Sequence, residues 1–250
     1  MLEVGRREGA RSAERPVGIR ERACVLVPAY QADKTLANVL ADLARELPDI
    51  PVFVVDDGST DRTAEVARGG GATVLRHERN RGKGAALVTG LKAARAAGFA
   101  VALTVDADAQ HPAVEARAVL FASDDTRALV LGIRDLPGAG APRANQISNG
   151  ISNYFLSRFA RRPLADTQCG LRRYPVEETL ALDGRADGYA FEAEVLLLAA
   201  RMGLPIVELP VRVVYPDPRE RITHFDSVKD PMRIIAVVLR TLARLRSRGR

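Results

Sequence analysis

The regular alternation of short apolar runs with helical segments is the sequence feature that most constrains this fold. Five runs are nearly continuous in apolar residues: ACVLV, PVFVV, ATVL, AVALTV and ALVLG. Such runs are typical of strands that are buried on both faces. The segments between them, including 34–47, 63–68 and 85–97, have the pattern of helices. The alternation therefore predicts an α/β fold, with a mainly parallel sheet covered by helices on both faces.

The length and composition of the chain fit one large domain of this class. The chain has 250 residues, of which 47% are hydrophobic and 27% are charged, as in an ordinary globular domain. After about residue 131 a loop rich in glycine and proline precedes predicted helices at 147–159 and 191–202 and a predicted strand at 206–215. Cys24 and Cys169 form no metal-ligand or disulfide pattern, which is typical of a reducing compartment.

The positive charge of the chain is confined to its C-terminal end. The net charge is +6, and the segment 229–250 accounts for all of it, with seven basic residues and one acidic residue. A nucleic-acid-binding protein more usually spreads a basic stripe over its folded face and interleaves aromatic residues, which here make up only 5% of the chain. The charge distribution therefore argues against a nucleic-acid partner.

The basic segment has the pattern of an amphipathic helix that begins at Asp230 and Pro231. One side of a helical wheel carries Arg233, Arg240, Arg244 and Arg248. The opposite side carries Ile235, Val238, Leu242 and Leu245. Two interpretations stay open: the helix binds anionic lipid headgroups, or it packs its apolar face on its own domain. We expect no membrane-spanning segment, because no run approaches the roughly 20 apolar residues that crossing needs, and no signal peptide.

Polar residues follow three of the predicted strands. They form the sequences PAY at 28–30, DDGS at 56–59 and DADAQ at 106–110. Ligands of open α/β sheets bind beyond the carboxyl ends of the strands. Folding alone does not explain why three strands deliver polar groups to that edge, so we predict a binding site there.

The polar residues of the segment DADAQ, which follows the run AVALTV, have the pattern of a metal site. Asp106, Asp108 and Gln110 alternate with small residues, so in an extended segment all three side chains would point to one side. Their oxygens suit Mg²⁺ or Mn²⁺, which commonly bridge to substrate phosphates. The alternative is a polar turn in which Asp108 caps a helix that begins near Pro112. The position after a buried strand favours the metal site.

Two further segments are candidates for nucleotide binding. Ser59 or Thr60 is predicted to cap a helix, which leaves Asp56 and Asp57 unexplained unless one of them accepts from a base or a ribose hydroxyl. The segment NRGKG at 80–84 resembles a phosphate-binding loop, with a plain glycine turn as the alternative. A P-loop is absent, and the dinucleotide-binding pattern fails at Leu87, which disfavours both of those enzyme classes.

The motifs VPAY, VVDDGSTD, NRGKG, DADAQHP, GIR, DTQCGLR and FEAE, taken together and in this order, resemble the family-2 glycosyltransferases. The resemblance is strongest to the branch that contains the dolichyl- and polyprenyl-phosphate mannosyl- or glucosyltransferases, and it covers roughly residues 23–215. Each motif alone is weak evidence, but seven in order are specific. The resemblance implies a GT-A fold, which is Rossmann-like, with a UDP- or GDP-linked sugar at the carboxyl edge of the sheet.

The resemblance also implies a role for individual residues. The positions that contact the base and ribose are Pro28, Ala29, Tyr30, Asp33 and Asp57. The residues beside the diphosphate and the metal are Lys83, Asp106, Ala107, Asp108 and Gln110. Arg134 and Arg143 match basic positions that handle phosphate, and Asp166 and Gln168 match positions that close the sugar and acceptor site.

The implied reaction is a direct displacement at the anomeric carbon, with inversion. The metal and Arg134 would stabilise the departing nucleoside diphosphate. A lipid-phosphate acceptor is already ionised and needs no strong base, whereas a hydroxyl acceptor requires Asp166, Glu192 or Glu194 to remove a proton. Because Glu192 and Glu194 are two apart on a predicted helix, at most one of them should face the site. His224 is a further candidate ligand of the diphosphate or the metal.

This interpretation divides the chain into a mobile extension (1–22), a glycosyltransferase domain (23–222) and a basic helix (223–250). The domain has a nucleotide half at 23–122 and an acceptor half at 123–222. We expect the protein in the cytoplasm, peripherally at the inner face of the cell membrane.

Two alternatives to a glycosyltransferase stay open. One is a sugar-1-phosphate nucleotidyltransferase, although that class needs a glycine-rich basic loop where this chain has Pro28, Ala29 and Tyr30. The other is a non-catalytic nucleotide-sugar-binding protein.

Overall fold

A seven-stranded sheet forms the centre of the computed structural model, which describes residues 18–215 and 229–248. Its strands are β1 (Ala23–Ala29), β2 (Val52–Asp56), β3 (Thr73–Arg76), β4 (Val101–Thr104), β5 (Leu129–Arg134), β6 (Arg172–Pro175) and β7 (Ile206–Val211). The strand order is β3-β2-β1-β4-β6-β5-β7. Every neighbouring pair is parallel except the two pairs that β6 makes with β4 and β5. The predicted α/β fold with a mainly parallel sheet is confirmed.

Helices cover both faces of this sheet. They are α1 (Leu36–Glu46), α2 (Thr63–Gly69), α3 (Lys83–Ala96), α4 (Ala113–Leu120), α5 (Arg143–Ala160), α6 (Val176–Ala181), α7 (Ala190–Arg201) and α8 (Lys229–Arg248). Alternate residues of β1 point to opposite faces, so Val25 and Val27 belong to one core and Cys24 and Leu26 to the other. The first core lies under α1, α2 and α4, and the second lies under α3 and α5–α8.

The predicted elements match the observed ones to within a few residues, but one predicted strand is less buried than expected, and the elements β6 and α6 were not predicted. ATVL was expected to be a buried strand, but the residues of β3 are half-buried or exposed because β3 lies at the edge of the sheet. The strand β6 was not predicted, since its sequence RRYP contains two arginines and a proline. Because β6 runs against its neighbours, it begins at the carboxyl edge of the other strands and brings the preceding segment 166–170 to that edge.

Both arginines of β6 are fully buried and bind main-chain carbonyl groups. Arg172 donates hydrogen bonds to the carbonyl oxygens of Cys169, Thr167 and Glu192, at 2.7, 2.8 and 2.9 Å. Arg173 donates to the carbonyl oxygens of three residues on the opposite face, namely Leu120, Ser123 and Asp125. A buried charge is costly unless it is hydrogen-bonded, so these carbonyl groups are what permits the two arginines in the sheet.

The C-terminal helix α8 packs its apolar face on the domain. Ile234, Val237 and Val238 are buried in the second core, and Leu242 and Leu245 pack against it. Packing on the domain therefore accounts for the apolar face of this helix. Of the helices in the described ranges, none combines the length and apolarity that crossing a bilayer requires.

Part of the predicted organisation lies outside the described residues. This holds for the proposed extension as far as residue 17 and for the segment 216–228, which includes the candidate ligand His224. The two predicted halves of the domain share one sheet, since β4 of the first half pairs with β6 of the second. Their boundary stays a prediction.

We predict that Arg173→Ala lowers the free energy of unfolding by about 2–3 kcal/mol, because it removes a charged donor and leaves buried carbonyl groups without a partner. Urea denaturation measures this difference. The matched control is Arg127→Ala, an exposed arginine with one surface ion pair to Glu178, for which we expect a change within about 0.5 kcal/mol. Equal effects of the two substitutions would contradict a structural role for the Arg173 network.

Candidate active site

The carboxyl ends of β1, β2, β4 and β5 open into one cavity of about 1830 Å³, referred to below as the site cavity. Most of the residues predicted for the site line it. They are Pro28, Ala29, Tyr30, Asp57, Lys83, Asp106, Ala107, Asp108, Gln110, Arg134 and Gln168. The convergence follows from topology, since β2, β1 and β4 are adjacent and parallel, and β6 is antiparallel to both β4 and β5. The expectation that the polar strand ends meet at one edge is confirmed.

The segment DADAQ forms a turn rather than the predicted extended segment. Ala109 has φ +60°, and Asp108 Oδ1 accepts a hydrogen bond from the Gln110 N–H at 3.0 Å. The alternative that Asp108 caps the next helix is also wrong, because α4 begins at Ala113 after Pro112, and the carboxylate is already engaged before that point. Ala109 thus adopts the left-handed backbone conformation within this turn, and both Asp106 and Asp108 line the cavity wall.

Lys83 links two carboxylates at the base of the site cavity. Its Nζ lies 2.7 Å from Asp106 Oδ1 and 3.1 Å from Glu192 Oε2, and 5.7 Å from the centre of the Tyr189 ring. Burial alone would lower the pKa of Lys83, but Asp106 and Glu192 outweigh burial and raise it above its usual value. The lysine is therefore a permanent cation.

The approach of Asp106 to Lys83 depends on a glycine. A Cβ added to Gly170 would overlap Asp106 Oδ2 and the Lys83 Nζ. Gly170 lies just before β6, so the unpredicted antiparallel strand brings this part of the backbone against the lysine and the aspartate. Any larger residue at this position would have to displace one of the two charged groups.

The two aspartates of the turn have opposite pKa shifts. Burial and, to a smaller extent, the negative charge of Asp106 raise the pKa of Asp108 to about 6. Burial would also raise the pKa of Asp106, but Lys83 outweighs burial and lowers it. Two carboxylates that repel each other in a buried wall are an arrangement that a divalent cation relieves.

The donor set fits Mg²⁺ or Mn²⁺ that is completed by a substrate. Within residues 18–215 and 229–248, no three side chains of His, Cys, Asp or Glu cluster as a closed metal cage. Mg²⁺ is, however, usually bound through one or two carboxylates together with water and substrate phosphates. Asp106 and Asp108 meet that requirement, and Gln110 lines the same cavity.

Asp57 organises the loop 80–84. Its Oδ1 accepts from the Arg81 N–H at 2.9 Å, and its Oδ2 accepts from the Gly82 N–H at 2.7 Å. His77 Nδ1 lies 2.6 Å from the same Oδ1, and the other ring nitrogen lies 2.9 Å from Thr89 Oγ1. The glycine-rich loop is thus anchored to the end of β2 rather than being an isolated turn. The role of His77 was missed, and no local pattern indicates it, because its partners are 12 and 20 residues away.

The neighbouring hydroxyl groups do not cap α2 as predicted. Ser59 Oγ accepts from the Gln31 N–H, and the helix start is bound instead by Asp61, whose Oδ1 accepts from the Thr63 N–H at 3.0 Å. Asp56 is fully buried, and its Oδ2 lies 3.1 Å from Arg76 Nε. The presence of Asp56 beside Asp57 is therefore explained by an ion pair within the fold.

Arg134 is held by a buried carboxylate. Its Nε and one terminal nitrogen donate to the two oxygens of Asp166, at 2.7 and 3.1 Å. Asp166 also accepts from the N–H groups of Gln168 and Cys169. Burial would raise the pKa of Asp166, but Arg134 outweighs it and lowers the pKa. Asp166 is buried behind the cavity wall, fully engaged and weakly basic, which suits a residue that positions Arg134 rather than a general base.

Two predicted site residues lie apart from the others. Asp33 donates its main-chain N–H to Asp61, and the cavity wall there is formed by Gln31 and Lys34. Arg143 is the exposed first residue of α5, where the cavity is lined by Pro142 and Asn145 instead. The structure does not bring Asp33 and Arg143 to the described wall of the site cavity.

The two glutamates of α7 bind different partners, but both line the site cavity, so the prediction that at most one of them faces the site is wrong. Glu192 binds Lys83, whereas Glu194 binds α8 and the loop 182–189. Glu194 Oε1 accepts from Thr241 Oγ1 and from Arg244, each at 2.7 Å. Its Oε2 accepts from the N–H groups at 185 and 186, at 2.6 and 2.7 Å. One buried carboxylate thus joins the C-terminal helix to a loop of the site cavity.

The outer wall of the site cavity is formed by α8, which the sequence did not assign to the site. The lining residues of α8 are Arg233, Ile234, Val237, Arg240, Thr241 and Arg244. The helical spacing of the sequence already indicated that the arginines of α8 lie on one side of the helix. What the pattern could not indicate is that this side faces a cavity of the same chain.

A family model described as "Glycosyl transferase family 2" matches residues 24–177 of this chain. A UDP-N-acetylglucosamine–dolichyl-phosphate N-acetylglucosaminyltransferase of Methanococcus voltae is 27% identical, over 77% of this chain and 86% of that protein. A polyprenol monophosphomannose synthase of Mycolicibacterium smegmatis is 27% identical, over 82% of each chain.

Solved structures confirm the fold. Glucosyl-3-phosphoglycerate synthase from Mycobacterium tuberculosis, solved in complex with Mn²⁺, UDP and glucosyl-3-phosphoglycerate, superposes with a TM-score of 0.69. The match covers 95% of this chain and 86% of that one at 22% identity. Because the family model matches more than half of the chain, including the strands β2 to β6 and most of β1, this chain belongs to the family-2 glycosyltransferases.

Proposed function

We propose that this glycosyltransferase transfers a hexose from a UDP- or GDP-linked sugar to a polyprenyl phosphate, with inversion and with the help of Mg²⁺ or Mn²⁺. The observation that carries the proposal is the group formed by Lys83, Asp106 and Asp108 at the carboxyl edge of the parallel sheet. It combines a fixed cation with two repelling carboxylates, which is the environment that a metal-bound diphosphate needs.

The donor would occupy the inner part of the site cavity. Asp106 and Asp108, with Gln110, would hold the cation, which supplies charge neutralisation at the diphosphate. Pro28, Ala29 and Tyr30 at the end of β1 line the adjoining wall and would contact the nucleoside. Lys83 and Arg134 are positioned by their own carboxylates and present cationic groups to the same space.

A phosphate acceptor agrees with the state of the acidic groups. Each of the three candidate bases already has a cationic partner: Asp166 pairs with Arg134, Glu192 with Lys83 through one oxygen, and Glu194 with Arg244. A partner of this kind makes a carboxylate a weaker acceptor of a proton from a hydroxyl. A phosphate monoester requires no such base, because its oxygen is already ionised near neutral pH. The names of the relatives from Methanococcus voltae and Mycolicibacterium smegmatis, which refer to dolichyl phosphate and polyprenol, support the same acceptor class. An enzyme that acts on a lipid acceptor would lie peripherally at the cytoplasmic face of a membrane.

We predict that UDP or GDP raises the melting temperature of the protein by several degrees in the presence of Mn²⁺, and that EDTA removes the shift, because ligand binding stabilises the native state by mass action. In Asp108→Asn the Mn²⁺-dependent part of the shift should disappear, while the melting temperature without ligand stays close to the wild type, since asparagine can still accept from the Gln110 N–H. Asp124→Asn, at an exposed acid outside the cavity wall, is the control. A full shift in Asp108→Asn would disprove the assignment of the metal site.

We predict that Lys83→Ala lowers kcat/KM by about a hundredfold, because a preorganised cation at the developing diphosphate charge contributes on this scale. The assay is release of nucleoside diphosphate from a panel of UDP- and GDP-hexoses with farnesyl phosphate as acceptor. Lys92→Ala, an exposed lysine of α3 that lies off the site cavity, is the matched control. Circular dichroism establishes that both variants are folded, and wild-type turnover in folded Lys83→Ala would contradict the proposal.

A further inference from the structure

The site cavity is larger than one substrate requires. Its volume of about 1830 Å³ exceeds the roughly 300–1,000 Å³ of a cavity for one ligand of moderate size. The inner part is accounted for by the donor and the metal site. The outer part is lined by α8, whose cavity-facing side the proposed donor binding does not use. The outer part therefore has room for the second substrate.

The cations of the inner part are already neutralised. Lys83 is shared between Asp106 and Glu192, and Arg134 is paired through two hydrogen bonds with Asp166. These groups face the diphosphate of the donor as well. An anionic acceptor needs a further cation, because a phosphate that enters a partly desolvated cavity without a partner is strongly disfavoured.

On the outer wall, Arg240 of α8 is a cation that can meet this need. It lines the site cavity, it is exposed, and its one described hydrogen bond is to the carbonyl oxygen of Ala236 in its own helix, at 3.3 Å. In the described part of the chain no carboxylate forms an ion pair with Arg240. Arg244, one turn further along, is by contrast bound to Glu194 and is not available.

The position of Arg240 is set by its neighbours. The adjacent Thr241 is buried and donates to Glu194 at 2.7 Å, and Arg244 donates to the same oxygen at 2.7 Å. Glu194 in turn binds the loop 182–189, which lines the site cavity. These contacts fix the register of the helix, and in that register Arg240 lines the site cavity.

Apolar side chains lie beside this arginine. Ile234 and Val237, two and one turns earlier on α8, also line the site cavity. A ligand on this wall would thus meet a cationic group next to an aliphatic surface. That combination fits a phosphate monoester attached to a hydrocarbon chain better than it fits a sugar or a nucleotide.

We propose that Arg240 binds the phosphate of the acceptor, with Ile234 and Val237 in contact with the first prenyl units. This inference deepens the proposed function and rests on its assignment of a polyprenyl-phosphate acceptor. It differs from the expectation drawn from the family resemblance, in which Arg143 handles phosphate, because Arg143 is absent from the described wall of the site cavity.

The test is calorimetric titration of the full-length protein with farnesyl phosphate, farnesol and 3-phosphoglycerate, each with and without Mn²⁺ and UDP or GDP. We expect Arg240→Ala to weaken binding of farnesyl phosphate by about tenfold or more, as loss of a charge-assisted hydrogen bond predicts. Arg240→Lys should recover part of the affinity. Arg158→Ala, an exposed arginine of α5 off the cavity wall, and Arg143→Ala should bind farnesyl phosphate like the wild type.

The other outcomes each have a definite meaning. Wild-type affinity in Arg240→Ala, a loss in Arg143→Ala instead, or no binding of either phosphate to the wild type would overturn the proposal. Binding of 3-phosphoglycerate but not of farnesyl phosphate through Arg240 would overturn the lipid contact and the polyprenyl acceptor together. If no nucleotide binds with Mn²⁺ while farnesyl phosphate still depends on Arg240, the donor assignment fails and the acceptor site stands.

Discussion

The ion-pair group centred on Lys83 is the interaction on which the rest of the site depends. The lysine lies in the loop that Asp57 anchors, Asp106 follows β4, and Glu192 lies on α7. One ammonium group thus joins three segments that are far apart in the chain. Because it is buried among carboxylates, its charge is retained and its position is fixed, so the nucleotide loop, the metal ligands and α7 hold their relative arrangement before any substrate enters.

Lys83 and Arg134 are each paired with a carboxylate before any substrate binds. Burial and the neighbouring charge of Asp106 raise the pKa of Asp108, so a second negative charge beside Asp106 is unfavourable. A divalent cation and a diphosphate would enter such a site together, because each offsets the charge of the other. The outer wall differs, since α8 contributes arginines and aliphatic side chains next to a single buried carboxylate, Glu194.

Family membership selects among the functions that the sequence left open. The glycosyltransferase interpretation is retained, and the sugar-1-phosphate nucleotidyltransferase and the non-catalytic binding protein are set aside. Asp57, Asp106 and Asp108 could be found from sequence because they follow apolar strands closely, whereas Arg134 was indicated by the family resemblance alone. Asp166 could be found as part of a motif, but its role in holding Arg134 could not. The two residues are 32 positions apart, and only the sheet brings them together.

The sequence by itself determined the α/β architecture and the edge at which the site lies. It did so because strand and helix periodicities are local, and because polar residues at the ends of parallel strands must share one edge. The tertiary structure alone decided the antiparallel course of β6, the burial of Arg172 and Arg173, and the role of α8 as a wall of the cavity. Those features depend on carbonyl groups and a carboxylate contributed from distant parts of the chain, and no spacing within a segment encodes such partners.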